Sequence, residues 1–137
     1  SAVFEKQPEE STTPYAAMIS RKMGELDWAK SATELERLIR GLNPWPSAFA
    51  FIHGKMLKIW EADVLSEEEA EAAGMSDDTA EPGTITAIGK DKIVVKTGKD
   101  YLVVTSLQLE GKKRMDTGAF LRGYKLEAGE KLLSERN

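Results

Sequence analysis

Cysteine is absent and histidine occurs once, at His53. The first absence excludes disulfides, thiolate metal sites and cysteine nucleophiles together. The second excludes a metal site built on paired histidines and any relay of two imidazoles. No apolar run approaches the roughly 20 residues that a membrane-spanning helix needs. The opening residues, Ser1-Ala2-Val3-Phe4-Glu5, lack the charged-then-apolar pattern of a signal peptide. A cytoplasmic protein without a membrane partner is the expectation. The 137 residues suit one domain with its own core.

The net charge of −4 argues against an anionic partner until its distribution is read. Between Glu61 and Glu81 stand nine acids and no Lys or Arg. Outside that segment 19 bases face 14 acids, a balance of +5. From Lys112 to Lys125 there are five bases and one acid. An acidic segment therefore sits on a mildly basic body, and phosphate binding follows local potential rather than net charge.

Residues 1–14, polar and carrying Pro8 and Pro14, read as an extended linker or arm that something precedes, and the linker remnant is taken to run over 1–27. Ser31 and Glu34 form a capping box for a helix over 31–40, with Ala32, Leu35, Leu38, Ile39 and Leu42 on one face. Gly41 is expected to stop it, and Pro44 to prevent its resumption. The period then becomes two. Strands are expected at 48–52 and 56–60, flanking a turn at His53-Gly54-Lys55, and again at 83–88, 92–97 and 101–107, the last reaching Leu109 at its longest. The intervening turns begin at Gly89 and Gly98, read as supplying positive φ. The segment 64–81 reads as a solvated, mobile acidic loop; Ser66 and Glu69 offer it one capped helical turn ended by Gly74. Asp116 is placed to cap a short helix ended by Gly123, and 127–137 reads as a polar tail.

This order predicts a mainly β domain over 28–126. Its expected form is a small OB-like open barrel of five or six antiparallel strands, with one packed N-terminal helix and a short C-terminal helix. An SH3-like barrel is the nearest competitor. The expected core holds Leu35, Leu38, Ile39, Ile59, Ile85, Val94, Leu102 and Val104.

No catalytic constellation is visible. His53 has no partner at a defined spacing, and Glu67, Glu68 and Glu69 are consecutive, so they diverge. Phosphate-binding and nucleophile-elbow motifs are missing. The suggestive residues are basic. Lys90, Lys92, Lys96 and Lys99 surround one hairpin, and Lys92 shares strand parity with Lys96. Lys112, Lys113 and Arg114 follow the last long strand, and Arg21 and Lys22 lie in the linker. Solubilising charge is the bland account of all of them.

The run Asp27-Trp28-x-x-Ser31-Ala32-x-x-Leu35-x-x-x-Ile39-Arg40-Gly41-x-Asn43-Pro44-Trp45-Pro46 resembles the start of the C-terminal domain of the methionyl-tRNA formyltransferase family. Lys58-Ile59-Trp60-x-Ala62, Pro82-Gly83-Thr84-Ile85, Leu107-Gln108-x-x-Gly111-Lys112-Lys113-x-Met115 and Phe120-Leu121-x-Gly123 continue the resemblance in order, from about Tyr15 to Gly123. Ser47 departs from the pattern, where the family often has Gly. The family's catalytic domain, with its Asn, His and Asp and its formyl-folate site, has no counterpart in this chain, and His53 does not match that His.

The resemblance implies a role for the bases. In the family this domain and its linker hold the acceptor arm of initiator tRNA carrying methionine, while the N-terminal catalytic domain, in cis, transfers the formyl group from 10-formyltetrahydrofolate. Candidate tRNA contacts are then Arg21, Lys22, Lys90, Lys92, Lys96, Lys112, Lys113 and Arg114, with no cofactor held by this domain and no activity in it alone. Trp28 and Trp45 are read as packing residues that fix the helix onto the sheet. Two alternatives stay open. One is the matching domain of a sister formyl-folate enzyme, an amino-sugar formyltransferase or a formyl-folate hydrolase; the Leu-Gln…Gly-Lys-Lys-x-Met block favours the tRNA enzyme. The other is a purely structural module.

Overall fold

A computed structural model describes residues 25–42 and 48–133. The elements are α1 (Ala32–Leu42), β1 (Ala48–Ile52), β2 (Lys55–Leu65), α2 (Glu67–Ala72), β3 (Ile85–Ile88), β4 (Ile93–Lys96), β5 (Tyr101–Leu109), β6 (Met115–Asp116) and α3 (Thr117–Gly123). All strand pairs are antiparallel and belong to one open six-stranded sheet, ordered β1-β2-β5-β4-β3 with β6 also on β5. The mainly β, OB-like expectation holds. The linker bases Arg21 and Lys22, and Pro44, Trp45 and Pro46, lie outside the described residues.

Helix α1 begins as its sequence dictates. Ser31 Oγ accepts from the Glu34 amide at 3.2 Å, and Glu34 accepts from the Ser31 amide at 3.1 Å. That backbone hydrogen bond from Ser31 is the main reason the Glu34 carboxyl is held below its ordinary value. Ala32, Leu35, Ile39 and Leu42 are buried, and Leu38 is partly so. Gly41 does not end the helix. It lies inside α1 without a positive φ, because Leu42 falls on the buried face and extends the packing by one position.

Strand β5 organises the sheet. One edge pairs with β2 along its length; the other serves β4 at Tyr101–Val104 and β6 at Ser106–Leu107. Strand β2 runs five residues past Trp60, because the Ala62–Leu65 stretch finds β5 as a partner despite its acids. The register slips twice there. Ile59 faces Leu107, Glu61 faces Ser106 and Ala62 faces Val104, so Trp60 is the extra residue on β2 and Thr105 the extra residue on β5.

The main core lies between α1, α3 and one face of the sheet. Of the expected core, only Leu38 is not fully buried. Trp28, 3 % exposed, belongs to the main core and lies against Gly83. A second cluster lies on the opposite face, where Ala70 of α2 meets Val94, Tyr101 and Val103. The acidic segment is therefore not loop throughout. Ser66 and Glu69 complete their capping box, and Gly74, with φ +74°, follows the helix. Ala70 supplies a buried apolar anchor that a loop reading overlooks, and Leu65 and Met75 pack against the same cluster.

Two turn expectations change. Gly89 and Gly98 do not take positive φ; Asp100 does, at +66°. Gly98 is needed for close approach instead: a Cβ there would stand 1.9 Å from the Ala29 carbonyl oxygen. This locks the β4–β5 turn to the start of α1, where Gly98 N–H donates to Lys30 O at 2.9 Å and Ala32 N–H to Lys99 O at 2.9 Å.

The stretch read as a polar tail has a structural part. Leu133 and Phe51 exchange two backbone hydrogen bonds of 2.8 Å on the free edge of β1. Leu132 N–H donates to Gly83 O at 2.8 Å, and Ile85 N–H to Glu130 O at 2.8 Å, beside β3. Leu132 is buried. The two outer strands have backbone groups that need partners, and residues 129–133 supply several of them, with Leu26 N–H donating to Phe49 O on β1 at 3.1 Å.

Candidate nucleic-acid interface

The basic loop between β5 and β6 is held by side chains from two strands. Register places Lys58 of β2 opposite Gln108 of β5. Gln108 acts with both ends of its amide: Oε1 accepts from the Trp60 indole N–H at 3.2 Å, and Nε2 donates to the Lys112 carbonyl at 3.0 Å. Lys112 N–H in turn donates to Leu109 O at 2.9 Å. The loop backbone is thus tied at both sides of Gly111, whose φ is +86°. A shallow cleft of about 280 Å³ runs beside it, lined by Met56, Lys58, Gln108 and Glu110 among others.

Arg114 closes the far side of the loop. Its guanidinium lies 4.6 Å from the Trp60 ring centroid, a cation–π distance. Arg114 Nε donates to Ser106 Oγ at 3.3 Å, and Nη2 reaches Glu61 Oε2 at 3.4 Å. Lys112 and Lys113 are exposed and make no ion pair among the described residues. The three consecutive bases therefore present two free ammonium groups and one oriented guanidinium. A second cleft, about 560 Å³, separates α1 from the β2 irregularity and takes in Arg40, Trp60, Glu61 and Arg114.

The other candidate bases are elsewhere. Lys96 pairs in register with Tyr101, at the opposite end of β5 from the basic loop. Nine residues of strand separate those ends, about 26 Å at the usual rise. Lys96 Nζ lies 5.1 Å from the Tyr101 ring centroid, and its charge helps lower the Asp77 carboxyl, whose first cause is the Thr79 hydroxyl. The face that Lys96 shares with Val94 is covered by acidic α2. Lys90 is exposed in the β3–β4 turn, and the stem of Lys92 packs on Gly89. That turn abuts the start of α3, where a Cβ on Gly118 would meet Asp91. The structure brings Lys112, Lys113 and Arg114 together and places Lys96 at the far end of β5, while Lys90 and Lys92 lie in a turn beside Gly118, a few residues past Arg114.

Sequence reasoning passed over Lys58, Trp60, Glu61 and Gln108. Lys58 and Trp60 share strand parity, a usable signal. Their meeting with Gln108 depends on the β2–β5 register, which no local pattern carries.

His53 is not a lone turn residue. With Gly54 it forms the β1–β2 turn, at φ +53° and +76°. Nδ1 bonds to the Tyr124 hydroxyl at 2.7 Å, and Nε2 pairs with Glu130. The hydrogen bond from His53 is the largest cause holding the Glu130 carboxyl below its ordinary value. The imidazole thereby joins the hairpin turn to the C-terminal strap.

These features define an OB-like antiparallel-sheet domain with a basic loop held in place by side chains from two strands. Residues 18–125 match the family described as formyl transferase, C-terminal domain, and the chain belongs to that family. It is 52 % identical over 124 residues to the methionyl-tRNA formyltransferase of Lachnospira eligens, covering 88 % of this chain and 37 % of that protein. The methionyl-tRNA formyltransferases of Agathobacter rectalis and Bacillus subtilis are 47 % and 44 % identical, over 94 % and 93 % of this chain and 38 % of each relative. The chain thus spans little more than a third of the length of these relatives. The fold is shared with HypX from Aquifex aeolicus in complex with tetrahydrofolic acid, at a TM-score of 0.55 and 16 % identity, over 80 % of this chain and 20 % of that one.

Proposed function

We propose that this chain is the tRNA-contacting C-terminal domain of a methionyl-tRNA formyltransferase, and that the loop 111–114 is its principal contact with the initiator tRNA backbone. The observation that carries the reading is the tethered loop with Lys112 and Lys113 exposed and unpaired among the described residues. Phosphate recognition needs positive potential at a fixed place and tolerates any base sequence. The relatives' names supply the substrate class, methionyl-tRNA.

In this account the whole protein moves a formyl group from 10-formyltetrahydrofolate to the methionyl amino group in translation initiation, within the cytoplasm. The reacting groups belong to the N-terminal catalytic domain, in cis. This domain contributes binding energy and orientation, and alone it forms no formyl-methionyl product. Among the described residues no helix is long and apolar enough to cross a membrane. The sister formyl-folate enzymes remain the alternative. The shared names of the L. eligens, A. rectalis and B. subtilis relatives favour the tRNA enzyme over them.

The test replaces the matching third of the L. eligens enzyme with this chain and changes Lys112 and Lys113 to Ala. KM for initiator tRNA should rise and the salt dependence should flatten by about one unit of slope per lost contact. KM for the folate substrate should stay unchanged. Unaltered tRNA kinetics at low and high salt would make these lysines ordinary surface charge and favour a purely structural module.

A further inference from the structure

Arg114 differs from its two basic neighbours because its head group is already occupied. In a regular strand successive side chains point to opposite faces, so no single group could lie against both Trp60 and Glu61. The register slip at Trp60 removes that restriction. Trp60 is half-buried and Glu61 exposed, in succession, and both meet Arg114. The indole is fixed by Gln108, and the guanidinium is held by two groups before Glu61 is counted, the Trp60 ring and Ser106 Oγ, which receives Nε.

We infer that Glu61 is a stand-in for phosphate. Its carboxylate occupies the guanidinium's outward N–H group until an RNA phosphate displaces it, while Trp60, Gln108 and Ser106 keep the guanidinium aimed. The inference rests on the RNA reading above and adds a regulating residue to that same site. The chemistry suits an exchange. The carboxylate and the two non-bridging oxygens of a backbone phosphodiester each carry one negative charge and can accept from the Arg N–H groups, and the RNA adds the field of its neighbouring phosphates. The pair is open to water, with side-chain exposures of 48 % for Arg114 and 65 % for Glu61. Exposed ion pairs of this kind hold weakly, so displacement is cheap. The contact also lowers the loop's standing potential, which reduces capture of other polyanions.

The experiment is a double-mutant cycle on the 137-residue chain. Binding of initiator tRNA carrying methionine is measured at low salt and across a salt series. Arg114→Ala should weaken binding about 5-fold and reduce the salt slope by about one unit. Glu61→Gln should tighten it about 3-fold, and the same change in an Arg114→Ala background should do nothing, because the two groups act as one unit. Arg114→Lys should fall nearer to Ala than to Arg, since an ammonium neither stacks on Trp60 nor forks. Thermal unfolding of all variants should match that of the parent. If Glu61→Gln tightens binding equally in both backgrounds, the carboxylate acts only through general charge and the inference fails, with the RNA reading intact. If Glu61→Gln changes nothing while Arg114→Ala weakens binding, Arg114 binds phosphate without exchange and the inference likewise fails. If the unchanged chain does not bind, or Arg114→Ala and the Lys112/Lys113 double change leave binding unaltered, the RNA reading itself falls and takes the inference with it.

Discussion

The two ends of β5 hold segments of opposite charge, acidic α2 and the basic loop, and hold them on opposite principles. At the Tyr101 end, acidic α2 is attached through apolar contact: Ala70 sits on Val94, Tyr101 and Val103, and Tyr101 Oη accepts from the Asp77 amide at 2.9 Å. Glu68 and Glu71 of that helix are exposed and make no ion pair among the described residues. At the Leu109 end, the basic loop is attached through polar contact that fixes particular head groups, with Gln108 gripping both Trp60 and the Lys112 carbonyl. An apolar attachment secures a segment and leaves its charges free to average in solvent. A polar attachment orients the charges themselves, at the cost of aligning several side chains. The second arrangement is the one expected of a recognition surface.

Breaking the apolar attachment should have the largest effect on stability and little on RNA. Tyr101 is fully buried, so Tyr101→Ala should cost about 3–5 kcal/mol, read by urea denaturation, and release α2 from the sheet. tRNA affinity measured below the transition should be nearly unchanged. Gly98→Ala comes next. The clash with the Ala29 carbonyl should cost about 1–3 kcal/mol, although φ at that residue is not positive, and a lowered urea midpoint would report it. Ser66→Ala removes a capping partner from α2 and should cost about 1 kcal/mol.

A smaller effect concerns acid. Glu130 has a depressed carboxyl pKa, with the His53 hydrogen bond as first cause. A depressed carboxylate adds stability above its unfolded-state pKa and loses it as pH falls through the folded value. The urea midpoint should therefore drop as the solution passes below about pH 4.3, and Glu130→Gln should flatten that drop. At neutral pH the substitution should cost under about 1 kcal/mol, as for other partly exposed pairs. Smallest of all should be Glu68→Gln with Glu71→Gln. Both groups are exposed, so stability should stay within about 0.5 kcal/mol and tRNA binding should barely move.

What the sequence shows of this comparison is uneven, for physical reasons. Helix α1 is legible because a capping box and an apolar period coincide. The strands are legible where alternation is uninterrupted. Helix α2 is easily missed because one small residue, Ala70, carries its packing, and composition registers only its acids. The C-terminal strap is missed for a related reason: its contacts are backbone hydrogen bonds to β1 and β3, which any side chain can make, and Leu132 is the main apolar clue. In the site, the run Lys112-Lys113-Arg114 is visible at once. Trp60, Glu61 and Gln108 are not, because they join it only through the β2–β5 register and the slip at Trp60, which are properties of the folded sheet.

If polar attachment marks the recognition surface, RNA meets the Leu109 end of β5 and not the Tyr101 end. The most direct measurement is an amide and indole chemical-shift titration of the isotope-labelled 137-residue chain with initiator tRNA at low salt. The amides of 108–114 and the Trp60 indole N–H should move or broaden first, while those of α2 and of Val94–Lys96 hold still. Changes centred on Lys90, Lys92 and Lys96, with 108–114 unmoved, would contradict it.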